Sequence, residues 1–186
     1  ASAMMGGFGG GMAAGLCSRE KGLLIGGLCG VLLALLLLIG GIADGRQVAA
    51  AFMLGAVGIQ VGTRFLVAEE CTISQAYKDK VLKAKDIDSV VTGKRLGHPV
   101  RSIRNAFTRE YQKAEYDASS VSDEELEKMG AGVLRLAARE GDVKNGCVLA
   151  GQVASMVTKE QPAREIIVEM FTEAEEVLKG AAKWVK

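Results

Sequence analysis

The sequence predicts an α/β protein: a partial (β/α)8, TIM-barrel-like unit made of the last β/α units, followed by a helical C-terminal extension. Three observations carry this expectation. Two apolar, strand-like runs, 34–39 and 57–61, each lead directly into glycines, Gly40-Gly41 and Gly62. A helix-length segment, 46–54, separates them, which is the spacing of one β/α unit. Past Arg64 the chain turns charged and helix-rich, whereas only Arg19, Glu20, Lys21, Asp44 and Arg46 carry charge before it. Composition therefore divides the chain into a Gly/Leu-rich front (1–38), the two β/α units (39–66) and a helical region (67–186). Two or three strands cannot close a barrel. The remaining packing is expected from the front segment or from a complementing chain.

Taken in order, 34–39 (Ala-Leu-Leu-Leu-Leu-Ile) suits a strand buried on both faces, as parallel sheets require. Asp44 is placed to cap a helix over 46–54, with Gly55 as its C-terminal stop. Residues 57–61 form the next short strand and run into Gly62-Thr63. Glycine turns after strands let the backbone approach an anion, and free N–H groups at a helix start attract it. In an eight-stranded barrel the phosphate site is commonly built by the loops after strands seven and eight. A flavin or nucleotide phosphate is thus expected on Gly40, Gly41, Gly62 and Thr63, with Gln60 and Val61 lining the same loop. The first turn alone is equally well explained as a tight connection; both turns together, with the Thr63 hydroxyl, favour the phosphate.

The remainder is expected to be mostly helical. One helix covers 67–85, an extended piece 86–92, and Gly93, Gly97 and Pro99 keep the next segment a loop. Residues 100–116 are amphipathic, with Ile103, Phe107 and Tyr111 on one helical face. Ser122 and Glu125 form a capping box for a helix to about Met129. Another helix spans 132–139, Gly141-Asp142 turns the chain, and 147–157 reads as an apolar helix. Pro162 sits at the start of the last helix, 163–184.

A net charge of +1 and 5% aromatic residues leave neither the field nor the stacking platforms for nucleic acid. The 4 cysteines are widely separated and there is one histidine, His98, so no metal site or disulfide frame is expected. That usage fits a reducing, cytoplasmic setting. Residues 22–43 lack charge and are long enough to span a bilayer as a helix, with Arg19 and Lys21 at one end. Glycines interrupt this run, and its last pair belongs to the phosphate turn. A buried small-residue helix followed by a core strand explains it better than a membrane anchor.

Gly-Gly-Ile-Ala-Asp-Gly (40–45), Ala-Ala-Phe-Met-Leu-Gly-Ala (50–56) and Gln-Val-Gly-Thr-Arg-Phe (60–65) together resemble a known family. It is the FMN-dependent enoyl-acyl-carrier-protein reductase II and nitronate monooxygenase family, in its C-terminal half. The likeness continues through Tyr77-Lys78, Leu82 to Asp88, Gly97-His98-Pro99-Val100-Arg101-Ser102-Ile103-Arg104-Asn105, Met129 to Gly132, Gly141-Asp142-Val143 and Leu149-Ala150-Gly151-Gln152. It spans about residues 39–184, and its Gly-His-x-Val-Arg and Ala-Gly-Gln runs favour the reductase branch. The resemblance implies FMN as cofactor, NAD(P)H as hydride donor, and an enoyl thioester on acyl carrier protein as substrate. The alternatives are nitronate monooxygenase activity, or a non-catalytic or membrane-anchored fragment. It also implies that the His98 loop approaches the barrel mouth, making His98 the candidate proton carrier, with Arg101 and Gln152 on the substrate side. Arg101 and Arg104 would share a helical face and meet an anionic group. Where the family carries a Gly-Gly-His-x-Gly loop, this chain has Phe8 within Gly6-Gly7-Phe8-Gly9-Gly10, and phenylalanine cannot exchange a proton. A homo-oligomer or complementing chain is the expected partner.

Overall fold

The computed structural model describes residues 41–184. The expected strand at 34–39, Gly40 and Phe8 lie outside the described residues, as does the uncharged 22–43 run except for Gly41, Ile42 and Ala43. No helix among the described residues is long and apolar enough to cross a membrane.

The first helix, α1 (Gly45–Met53), starts where the sequence places it. Asp44 is extended and accepts from the Gln47 N–H at 2.9 Å, satisfying one of the helix's free donors. Gly55 follows the helix at φ +91°, a left-handed stop that suits glycine. The last long helix, α7 (Ala163–Ala181), packs along α1. Val48 and Ala49 meet Ile166, Met170 and Ala174, forming one of three buried clusters. Contact is so close at Gly45 that a Cβ there would lie 2.3 Å from the Met170 carbonyl oxygen.

The central cluster gathers Val67, Tyr77, Val81, Ile103, Ala137, Val148, Val153 and Val157. Its elements are α2 (Thr63–Leu66), α3 (Gln75–Leu82), a 3-10 turn at Gln152–Met156 and the hairpin β1 (Ser89–Thr92) and β2 (Val100–Ile103). β1 and β2 pair antiparallel, Ser89 opposite Ile103 and Thr92 opposite Val100. A third cluster, Phe107, Tyr111, Leu126 and Cys147, lies under α4 (Ala106–Tyr116) and α5 (Asp123–Gly130). α6 (Val133–Ala138) follows Gly132, whose φ of +76° turns the chain. The Ser122–Glu125 capping box forms as the sequence predicts.

The protein is α/β: β1 falls within the expected extended piece 86–92, whose first residues, Asp86–Asp88, form a 3-10 turn, whereas β2 lies where a helix was expected. Residues 57–61 form no strand: the chain bends at Val57, which is fully exposed, and continues irregularly with no ladder partner among the described residues. A strand needs a neighbour to take its backbone hydrogen bonds, and its expected neighbour, 34–39, is outside the described residues. The only strands described belong to the hairpin.

Three expected helices also differ. The 67–85 helix forms only over Gln75–Leu82: residues 67–74 make turns and a single bridge from Ala68 to Gln161, the β-branched Thr72-Ile73 pair disfavours helix, and Ser74 caps α3. The Ser74 hydroxyl accepts from the Tyr77 N–H at 3.3 Å and donates to the Ala137 carbonyl at 2.8 Å. The 100–116 helix begins only at Ala106, after Asn105 accepts from the Thr108 N–H at 2.9 Å. Residues 147–157 are not one helix. Val148 to Ala150 lie along the open edge of β2, where the Ile103 N–H donates to the Val148 carbonyl at 2.9 Å. The Ala150 N–H donates to the Arg101 carbonyl at 3.2 Å, and the chain then coils into the short turn at Gln152.

Candidate functional site

Two of the sequence-predicted turns meet a third. The Gly151 N–H donates to Thr63 Oγ1 at 2.9 Å, joining the start of α2 to the start of the Gln152–Met156 turn. Gly41 reaches the same place from the other side: at φ +40°, a side chain there would meet Val153 Cγ2 at 2.8 Å. Gly41, Gly62-Thr63 and Gly151-Gln152 therefore form one corner of the molecule. Close packing at Gly41 explains a glycine there. Packing does not explain Gly62, where an added Cβ would meet nothing within 4 Å and φ is −114°.

Among the described residues nothing accepts from the Gly62, Thr63 or Arg64 backbone N–H groups. The Thr63 hydroxyl, occupied as an acceptor, keeps its proton to donate. Open amides, an open glycine face and a hydroxyl donor fit the phosphate end of FMN. The first turn offers less than its sequence suggests. The N-terminus of α1 is already satisfied by Asp44 and by Glu173, which accepts from the Gly45 N–H at 2.7 Å. Gly41 can contribute its own backbone, but not a free helix end.

The other predicted residues fall in different places. Gln60 is exposed, while Val61 packs its side chain into the α1–α7 cluster and leaves only backbone to line the loop. Gln152 is exposed at the first position of its turn beside Gly151, and its side-chain amide has no hydrogen-bond partner among the described residues. Arg101 lies on β2 rather than a helix and donates to Ser89 Oγ at 3.0 Å. Arg104 falls beyond the strand, so the two arginines do not share the helical face expected of them. The Arg101 carbonyl still borders Ala150, two residues before Gln152. His98 sits in the hairpin turn, its N–H bonded to the Gly93 carbonyl at 3.0 Å, and its side chain lines a separate cleft. The structure thus brings Gln152 to the glycine turns and leaves His98 apart from them.

Arg64 is a contributor the sequence did not single out. It is only 6% exposed and runs inward from α2 to the Lys159 carbonyl, at 3.0 Å, and to Gln161 Oε1. Burial lowers its pKa from the ordinary arginine value, with nearby Glu169 offsetting this in part. It fixes the loop rather than presenting charge to a ligand. Gly151 is the other missed residue, since the bond to Thr63 links positions far apart in the chain. No group of three His, Cys, Asp or Glu among the described residues is placed to hold a metal ion.

Comparison with known proteins bears out the family resemblance. The nitronate monooxygenase family profile matches residues 5–173, beginning ahead of the residue-39 start of the motif resemblance. A probable nitronate monooxygenase of Staphylococcus saprophyticus is 34% identical over 140 residues, covering 75% of this chain and 38% of the relative. A probable nitronate monooxygenase of Staphylococcus aureus is 31% identical over the same length. Among solved structures, FabK from Thermotoga maritima is 40% identical with a TM-score of 0.74, covering 78% of this chain and 46% of FabK. Nitroalkane oxidase from Streptomyces ansochromogenes is 27% identical with a TM-score of 0.61, covering 77% of this chain and 40% of the oxidase. The chain spans well under half the length of the curated relatives it matches. On the extent of the profile match and these identities, the chain belongs to the nitronate monooxygenase family.

Proposed function

We propose that this chain supplies the phosphate-binding end of an FMN site, in an oxidoreductase that reduces the double bond of an enoyl thioester with NAD(P)H. The observation that carries the reading is the convergence of Gly62-Thr63 with Gly151-Gln152, at amides that no described residue occupies. When bound, FMN supplies the hydride chemistry, and the protein's part is binding and orientation. Backbone N–H groups of Gly62, Thr63 and Arg64 would hold the phosphate, with the Thr63 hydroxyl adding a donor and Gly41 closing the other side. Gly151 orients Thr63 Oγ1 by its own N–H, so the hydroxyl proton is left to point outward. The Gln152 amide stands beside this end, free to accept from or donate to substrate. Arg101 is the further substrate-side candidate, by way of the adjoining β2 strand. His98 would carry a proton only if the hairpin turn moves toward the corner.

FabK, 40% identical over 78% of this chain, supports the reductase branch. Nitronate oxidation is the second reading, favoured by the family profile and by the names of the curated relatives. Two assays on the FMN-supplemented protein separate them. Oxidation of NADPH dependent on a crotonyl thioester supports the reductase; oxygen uptake dependent on a nitronate, without NADPH, supports the monooxygenase. Neither activity, with flavin demonstrably bound, would leave a flavin-binding fragment that needs a complementing chain or a second copy for chemistry.

A further inference from the structure

The cleft beside His98 is distinct from the glycine corner. It opens between the hairpin, α4 and α6, with a volume of about 230 Å³. Its walls are largely apolar, Phe107 and Leu149 among them. Two hydroxyls break that surface. Thr92, on β1, is 2% exposed, and Tyr111, on α4, is 6% exposed. Both line the cleft, and neither hydroxyl has a hydrogen-bond partner among the described residues. Among the described residues the buried side-chain atoms left without a partner are Arg95 Nη1 and Ser102 Oγ, so the Thr92 and Tyr111 hydroxyls are reached from the cleft and can donate to what fills it. The more deeply buried Tyr77 hydroxyl, by contrast, donates to the Leu149 carbonyl at 2.7 Å.

We propose that this cleft binds a small, neutral, mostly apolar molecule carrying one carbonyl-type hydrogen-bond acceptor, held by the Thr92 and Tyr111 hydroxyls. The size sets the class. Pockets for drug-sized ligands span about 300–1,000 Å³, so the guest is no larger than a short acyl chain or a single aromatic ring. Charge sets the head group. The Glu115 carboxylate, itself buried, lies near Tyr111 and accepts from the Arg95 N–H at 2.9 Å, so a second carboxylate is disfavoured beside it. Burial first, then Glu115, raises the Tyr111 phenol above its ordinary value, and it remains a donor at neutral pH. Cys147 lines the same cleft, and burial raises its thiol as well, which leaves a contact surface rather than a thiolate nucleophile.

Cys147 also gives the test. The full chain is treated with methyl methanethiosulfonate, with and without hexanamide, benzamide or hexanoate, and labelling of each cysteine is followed by peptide mass spectrometry. Hexanamide, benzamide or both should slow labelling of Cys147 and leave Cys71 unaffected; which of them protects identifies an acyl or a ring guest. Thr92→Val and Tyr111→Phe should each weaken that protection by about fivefold, the loss of one net hydrogen bond. Saturation-transfer NMR on the same variants reads binding directly, and unchanged unfolding transitions exclude a folding defect. Absence of protection by both amides up to about 10 mM, or equal protection of Cys71, overturns the site. Hexanoate binding as well as hexanamide overturns its neutral head group.

Discussion

Gly62 is the residue at which folding and binding separate. Its φ of −114° is open to any L residue, and a Cβ there touches nothing, so the fold makes no demand for glycine. A bound phosphate would make that demand, because a methyl group on the turn holds the anion off the amides. Gly62→Ala should therefore leave stability within about 0.5 kcal/mol of the parent by urea denaturation. Flavin or phosphate affinity should fall by about tenfold or more, as lost charge-assisted hydrogen bonds require. Unchanged affinity would remove Gly62 from the site. Gly93 shows the opposite case. At φ +79°, with a Cβ only 2.5 Å from the His98 carbonyl oxygen, it is glycine for the sake of the hairpin alone. Sequence shows both as glycine after a β-rich run, and only the surroundings separate a binding glycine from a turn glycine.

At the level of elements, two pins hold the helices around the corner. Lys78 is buried on α3, and its ammonium donates to the Ala68 carbonyl at 2.7 Å and to Glu160 Oε1 at 2.7 Å. This ties α3 to the loop after α2 and to the segment leading into α7. Lys78→Met should destabilise by about 1–3 kcal/mol, since the charge-assisted bonds to the Ala68 carbonyl and to Glu160 are lost, although the Cys71 N–H still donates to that carbonyl. The Lys78 hydrogen bond, then that from Gln75, holds the Glu160 carboxyl below its ordinary 4.5. A depressed carboxylate stabilises fully above the unfolded value and loses that contribution as pH falls through the folded one. Acidification below about pH 4.5 should weaken the fold, and Glu160→Gln should flatten that dependence in pH-resolved thermal melts. The second pin is Gly45, where α1 meets α7 backbone to backbone. Gly45→Ala should cost about 1–3 kcal/mol by overpacking, measured by urea denaturation. An unperturbed midpoint would mean the helices separate freely. Helix starts were legible at this scale: Asp44, Ser122 and Pro162 stand where caps or first turns occur, because capping is written in neighbouring residues. β1 was legible as part of the extended piece 86–92, but β2 and the Val148–Ala150 edge were not. Val100 to Ile103 fits a helical face as well as a strand, and the choice is made by partners distant in sequence.

For the whole molecule, the glycine turns and Gln152 motif pointed to the corner, but not to the Thr63–Gly151 bond that assembles it. The same corner limits what the chain does alone. In the proposed site Gly62, Thr63 and Gly41 would grip only one end of FMN, whose larger part is an apolar ring system, and the chain covers 38% of the curated relatives' length. Burial of that ring contributes about 25 cal/mol per Å² of apolar surface, so its absence amounts to several kcal/mol. At ~1.4 kcal/mol per tenfold in affinity, the loss reaches the order of a thousandfold. The 186-residue chain should accordingly bind FMN weakly, well above micromolar, and bind inorganic phosphate nearly as well as the flavin. Quenching of flavin fluorescence on titration reads the first, and competition by phosphate reads the second. Addition of a complementing chain that supplies a ring pocket should then tighten FMN without tightening phosphate, because only the ring gains contacts. Sub-micromolar FMN binding by the chain alone would overturn this division and place the ring pocket within the 186 residues themselves.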